Sequence, residues 1–157
     1  MPESESESES ESESESANGD DPSIAGDEVV LRRVKAKPSM VVTDSLTGAV
    51  RPSSGAFKPD DDGISVYREQ LLLDVGCSPA DLRTADDDLV YGLEVNDVRR
   101  LDLGVKADAW PPGIPDEAHL RNAAHALIVG FTALSRTERK RKQSELVAAP
   151  SLRKVIG

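Results

Sequence analysis

The sequence predicts an α+β domain: a small mixed or antiparallel sheet with short helices, an acidic disordered N-terminal tail and a basic C-terminal helix. Three observations carry that prediction. Residues 3–16 are seven Glu-Ser dipeptides with almost nothing to bury. Residues 89–95 alternate with a period of two, placing Leu89, Tyr91, Leu93 and Val95 on one face and Val90, Gly92 and Glu94 on the other, the pattern of a half-buried strand. The remaining apolar runs are short and are cut by Gly, Pro and Asp, which leaves room for brief elements only.

Seven like charges at alternate positions repel, and no apolar surface offsets the entropy of ordering them, so residues 1–27 are expected to be disordered. Each serine of the repeat is flanked by acid. The segment therefore reads as a phosphorylatable arm, as an electrostatic lure for a basic partner, or as a plain solubility tail. A compact domain is expected over 28–134 and a basic helical extension over 135–157.

Val29–Val34 is β-branched and closed off by Pro38, which predicts a first strand. Met40–Thr43 reads as a second, followed by turn chemistry over 44–48. Residues 51–63 read as a long ordered loop. Ile64–Tyr67 alternates as a strand. Arg68–Val75 then puts Leu71, Leu72 and Val75 on one helical face, with Gly76 as the stop. Ser78 and Pro79 have the order of an N-cap and first helical residue. Asn96 or Asp97 is expected to cap a short helix carrying Val98 and Leu101, with a brief extended piece at 105–107. Residues 110–115 hold three prolines and exclude regular structure, and Asp116 is expected to cap a helical turn through 122. Residues 125–130 are apolar and fit either a buried strand or the end of that turn. Ser135, three residues before Glu138, has capping-box spacing and opens a charged helix to about Val147.

The charge is unevenly distributed. The formal net charge of −10 equals that of residues 1–27 alone, so residues 28–157 balance 19 basic against 19 acidic side chains. Within that neutral part, residues 136–154 hold seven cations against Glu138 and Glu145. Cys77 is the only cysteine, so no intrachain disulfide forms, which suits a cytoplasmic protein. There is no secretory pattern at the N-terminus, and the longest apolar stretch falls short of the ~20 residues of a spanning helix. The five aromatic residues leave the core to Val, Leu, Ile and Ala.

Four stretches taken together resemble a group of small, uncharacterised bacterial proteins common in actinobacteria: 31–34 (LRRV), 51–57 (RPSSGAF), 64–67 (ISVY) and 124–130 (AHALIVG). That group is similar in an Arg-Arg strand, an Arg-Pro-Ser-Ser-x-x-Phe loop, a Ser-Val strand and a late His-Ala-x-Ile-x-Gly strand. Residues 98–105 also look like its Val-Arg-x-Leu-Gly-Leu-x-Val passage. The resemblance covers roughly residues 29–131, favours a strand over 124–130 and implies no activity. The chain departs from the pattern between Trp110 and Ala123.

The candidate chemistry is sparse. Arg51, Ser53 and Ser54 combine a planar cation with two hydroxyls in a loop that Pro52 and Gly55 shape, a set able to hold a phosphate or carboxylate. The alternative is local: a serine caps a turn, Phe57 plugs the core and Arg51 pairs with Asp60, Asp61 or Asp62. His119 and His125 are the only histidines, and their spacing fits no zinc motif. His125 is a candidate general base for Ser53 or Ser54, or a hydrogen-bonded core residue. Arg33, Ser53 or Ser54, and Glu94 follow an order similar to the Arg-Ser-Glu set of ADP-ribosyltransferases. That resemblance implies Arg33 on an NAD phosphate, the serine shaping the pocket and Glu94 stabilising an oxocarbenium ion, but the family's Ser-Thr-Ser and Glu-x-Glu strings are not present. The triplets Asp60–Asp62 and Asp86–Asp88 match no calcium loop and read as solvated turns. No metal and no cofactor is called for.

Arg136, Arg139, Lys140, Arg141 and Lys142 form the candidate partner surface, facing a protein or the phosphates of a nucleic acid, or lying against the chain's own acidic arm. No aromatic residue interleaves with them, so base stacking has no support. The expectation is a non-enzymatic binding or accessory module that contacts a protein through its charged termini. The alternative is a small enzyme or sensor for a phosphorylated or nucleotide ligand, acting through residues 51–54 and His125. No membrane partner is expected.

Overall fold

The computed structural model describes residues 18–109 and 123–156. Its strands are β1 (Val29–Val34), β2 (Val41–Thr43), β3 (Val50–Pro52), β4 (Ile64–Arg68), β5 (Leu89–Glu94), β6 (Gly104–Ala107), β7 (His125–Val129) and β8 (Arg153–Ile156). The described helices are α1 (Glu69–Asp74), α2 (Val95–Arg100) and α3 (Arg136–Val147), with 3₁₀ turns at Ser54–Phe57 and Pro79–Leu82. Six strands form one antiparallel sheet in the order β6-β7-β4-β1-β5-β8, while β2 and β3 form a separate hairpin. The α+β expectation holds, and the sheet is antiparallel rather than mixed. The expectations for residues 1–17, the disorder of the Glu-Ser repeat, and for residues 110–122, His119 included, lie outside the described residues.

Successive side chains of a strand point to opposite faces, so this sheet builds two cores. Val30 and Val34 of β1 enter the larger one with Ile64, Val66, Leu89, Tyr91, Ala126 and Ile128. That core is closed by Phe57 of the first 3₁₀ turn, Val95 and Val98 of α2, and Leu146 of α3. Leu31 and Val90 face the other way and pack with Leu72 of α1 and Leu82 of the second 3₁₀ turn. Because both faces are covered, Leu89–Leu93 is buried throughout, where alternation predicted a strand buried on one side. Alternation registers polarity and cannot see that Val90 and Gly92 meet a second layer.

The ends of the domain also differ from expectation. Ile24 is fully buried in the larger core, and the Asp21 N–H donates to the Val105 carbonyl. The Asp20 carboxylate accepts the Val105 N–H and pairs with Arg99, whose Nη2 also donates to the Asp21 and Ile24 carbonyls. This strap runs so close to β6 that a Cβ on Gly104 would lie 2.6 Å from the Cβ of Asp20. Packing therefore starts by Asn18, where the composition placed it at Glu28. At the other end, α3 has the expected capping box, but the chain then returns as β8 on the open edge of β5. The Ser151 N–H donates to Asp97 Oδ2, and the Ser151 hydroxyl accepts the Glu94 N–H. Residues 135–156 are thus part of the fold and not an appendage.

Several local signals read as expected. The turn at 44–48 joins β2 to β3, with Asp44 Oδ1 accepting the N–H groups of Leu46 and Thr47. Ser78 and Asp81 form a capping box at the second 3₁₀ turn. Other signals do not. Residues 51–57 hold a strand end and a 3₁₀ turn in place of a loop, and α2 begins at Val95, with Asp97 buried inside its first turn instead of capping it. Asp86 and Asp87 are exposed, as solvated turn residues should be, but Asp88 is buried. Its Oδ2 accepts the Thr84 N–H, the Thr84 hydroxyl, the Ala85 N–H and the Lys35 ammonium.

Two measurements follow from this packing. Ile24→Ala removes a fully buried side chain from the strap and is expected to lower the unfolding free energy by about 2–4 kcal/mol in urea titration. A loss below about 0.5 kcal/mol would mean that the strap is not docked. Burial raises the Asp88 carboxyl, but the Thr84 N–H, Lys35, the Thr84 hydroxyl and the Ala85 N–H outweigh it and hold the group at about 2. A depressed carboxylate stabilises the native state above its unfolded value and loses that contribution as pH falls towards the native one. Asp88→Asn is therefore expected to cost about 2 kcal/mol at neutral pH and to flatten the fall in stability between about pH 4 and pH 2. An unchanged acid limb would refute it.

Candidate functional site

Helix α3 is capped by Ser135, whose hydroxyl accepts the Glu138 N–H while the Glu138 carboxylate accepts the Ser135 N–H. These bonds, the backbone one first, hold the Glu138 carboxyl below its ordinary range. The inner side of the helix carries Leu146 into the core. Two of the five predicted partner-binding cations belong to that side as well. Arg139 donates from Nε to the Phe131 carbonyl, and the Lys142 ammonium donates to the Leu101 carbonyl. Both clamp the helix to the domain. Arg136, Lys140 and Arg141 are exposed, and none of them makes an ion pair among the described residues. Arg136 and Lys140 are one helical turn apart and share a face. Beyond the cap, Glu138 is exposed and feels the charge of Arg141, while Arg136, Lys140 and Arg141 leave the outward side of the first two turns with three cations against this one carboxylate. Such a face can form charge-assisted hydrogen bonds to carboxylates or phosphates.

The loop and strand candidates do not assemble. Arg51 is exposed on β3, where its charge adds a minor part to the Thr47 and Leu46 N–H bonds that lower the Asp44 carboxyl, and it makes no ion pair with Asp60, Asp61 or Asp62. The Ser53 hydroxyl donates to the Ser39 carbonyl, and Ser54 opens the 3₁₀ turn that buries Ala56 and Phe57. Arg33 donates to the Leu82 carbonyl, holding the second 3₁₀ turn to β1. Glu94 is level with Val29 while Arg33 is level with Val90, so the two lie at opposite ends of the β1–β5 pair. Four residues of strand separate them by about 13 Å, too far to share one ligand group.

His125 opens β7 next to Ala126, and because Ala126 and Ile128 enter the larger core, His125 faces the opposite side of the sheet with Leu127. The 3₁₀ turn after Ser53 packs on the larger-core side, and the sheet therefore lies between His125 and both loop serines. The hydroxyl that does reach His125 is Ser65 of β4, whose Oγ is 2.6 Å from Nε2. Nδ1 lies 3.0 Å from Asp108 Oδ2 and 3.2 Å from the Asp108 carbonyl, and the ring meets Tyr67 edge-on at 5.3 Å. Ser65, His125 and Asp108 thus stand in the order of an activated hydroxyl, its base and the orienting acid. Ser65 is nevertheless a mid-strand residue paired with Leu127, not the tip of a strand-to-helix elbow.

Sequence reasoning missed Ser65, Asp108 and Arg32. Arg32 is part-buried and donates from Nε to the Ala56 carbonyl and from Nη1 to the Ser65 carbonyl, tying the loop to β4. Period-two alternation could have put Ser65 with Tyr67 and His125 with Leu127, but only the pairing of β4 with β7 brings those faces together. No protein-family model matches the chain, and comparison with the curated proteins and with the solved structures found no match. Among the described residues, no helix is long and apolar enough to cross a membrane.

Proposed function

We propose that the chain is a non-enzymatic binding module that engages an acidic protein segment through Arg136, Lys140 and Arg141. The observation that supports this reading is the division of labour along α3: two cations are spent on carbonyls of the domain, while the remaining three are exposed on a capped helix and form no ion pair among the described residues, Arg141 alone having a carboxylate, Glu138, close enough to feel its charge. An extended acidic segment suits this face better than a single-stranded nucleic acid, because the helix carries no aromatic residue on which a base could stack, and a duplex, which binds through its phosphates alone, is the competing partner in the test. Exposed pairs of this kind are individually weak and screened by salt, so the interaction is expected to be fast and salt-sensitive.

The test is fluorescence anisotropy of the full chain with a labelled polyglutamate peptide and a labelled DNA duplex of similar length. The peptide is expected to bind, and the combined Arg136→Ala, Lys140→Ala and Arg141→Ala variant to bind it about tenfold more weakly. Equal affinity of that variant, with its fold checked by circular dichroism, would overturn the assignment of the face. Tighter binding of the duplex would move the partner class to nucleic acid.

A second reading has one observation in its favour, the Ser65–His125–Asp108 chain of hydrogen bonds. Here the enzyme alternative passes from Ser53 and Ser54 to Ser65, with His125 as general base. Covalent labelling of Ser65 by a fluorophosphonate, lost in His125→Gln, is the outcome expected of an activated hydroxyl. Absence of labelling in the native chain leaves this arrangement as a tie between β4 and β7.

A further inference from the structure

The Glu-Ser repeat carries seven carboxylates between Glu3 and Glu15 and no cation. The described chain begins at Asn18, and Asn18 and Gly19 line a cavity of about 510 Å³ together with Lys106 and Arg139. Asn18, to which the repeat leads in the sequence, therefore lines the same cavity as Arg139 of α3, the residue next to Lys140 on that helix. Asp60, Asp61 and Asp62 line the same cavity and disfavour a path over their side of it. Seventeen residues can span up to about 60 Å, whereas a helix of twelve residues is about 18 Å long, so every cation of the face is within reach. The spacings also agree. Alternate residues of an extended chain repeat about every 7 Å on one side, and Arg136 and Lys140 are separated by a rise of about 6 Å.

We propose that the Glu-Ser repeat is the resident occupant of the Arg136–Lys140–Arg141 face, an intramolecular contact that an external acidic partner must displace. This rests on the reading of that face as the binding surface and adds what covers it in the free protein. Tethering places the carboxylates at an effective concentration in the millimolar range, so pairs too weak to form between separate molecules are populated here. Salt weakens the contact because every group involved is a surface charge.

The experiment uses the full chain carrying Cys77→Ser and a nitroxide on Ser4→Cys, and reads relaxation enhancement at backbone amides. At about 20 mM salt the amides of residues 136–144 are expected to lose more than about half their intensity, and at about 500 mM to recover it. Replacing all seven glutamates of the repeat with Gln abolishes the effect and tightens polyglutamate binding about tenfold. Undiminished amides at low salt, or losses confined to surfaces away from α3, would overturn the contact. The salt comparison needs no substitution at the face, so a folding defect in a charge variant leaves the test intact. The two readings fail separately. Relaxation at α3 without polyglutamate binding in any variant removes the binding function and keeps the contact. Polyglutamate binding that is the same with and without the seven carboxylates, and no relaxation at α3, removes the contact and keeps the function.

Discussion

Strand β1 is the constraint on which the domain depends. Its backbone is paired along one edge with β4 and along the other with β5, and it sends Val30 and Val34 to one core and Leu31 to the other. A strand buried on both faces fixes its register firmly, because a slip of one residue would exchange the two apolar sets and drive Arg32 and Arg33 into each other's places. That register in turn places each candidate residue on one face or the other. It is why Arg33 supports the second 3₁₀ turn while Arg32, its neighbour in sequence, reaches the Ala56 and Ser65 carbonyls on the opposite side.

The charged residues sort by the work they do in this frame. Asp20, Asp88 and Asp97 are carboxylates that hold chain segments: the N-terminal strap, the turn before β5 and the return to β8. In each case backbone N–H donors are bound directly, which offsets the cost of removing the charge from water. Arg32, Arg99, Arg139 and Lys142 do the converse for carbonyls. Once these are set aside, the outer face of α3 stands out because its cations have no such task. Arg153 and Lys154 are also exposed, but they lie on β8 at the edge of the sheet, where charge guards an open strand against further pairing.

The local signals in the sequence were dependable where the physics is local. A hydroxyl three residues before a carboxylate closes a capping box from its own atoms, and both the Ser135–Glu138 and Ser78–Asp81 pairs do so. Gly48 provides the positive φ that the hairpin turn needs, and Asp44 supplies the acceptor that holds it. Strand existence was legible for β1, β4 and β5. The candidate site was legible only in part: all five cations of α3 could be named, but not which two of them turn inward. That depends on where the Phe131 and Leu101 carbonyls lie, and these belong to segments distant from the helix or outside it.

Composition and spacing determined the acidic repeat, the neutrality of the rest of the chain, the capped basic helix and the α+β class, since each follows from neighbouring residues alone. The tertiary structure decided that the strap from Asn18 belongs to the domain, that residues after Val147 return as a sheet strand, and that Ser65 rather than Ser53 or Ser54 meets His125. The reason is common to all three. Pairing between strands and docking of a segment depend on partners many residues away, and a single chain read in order carries the alternation of each strand but not which faces come together.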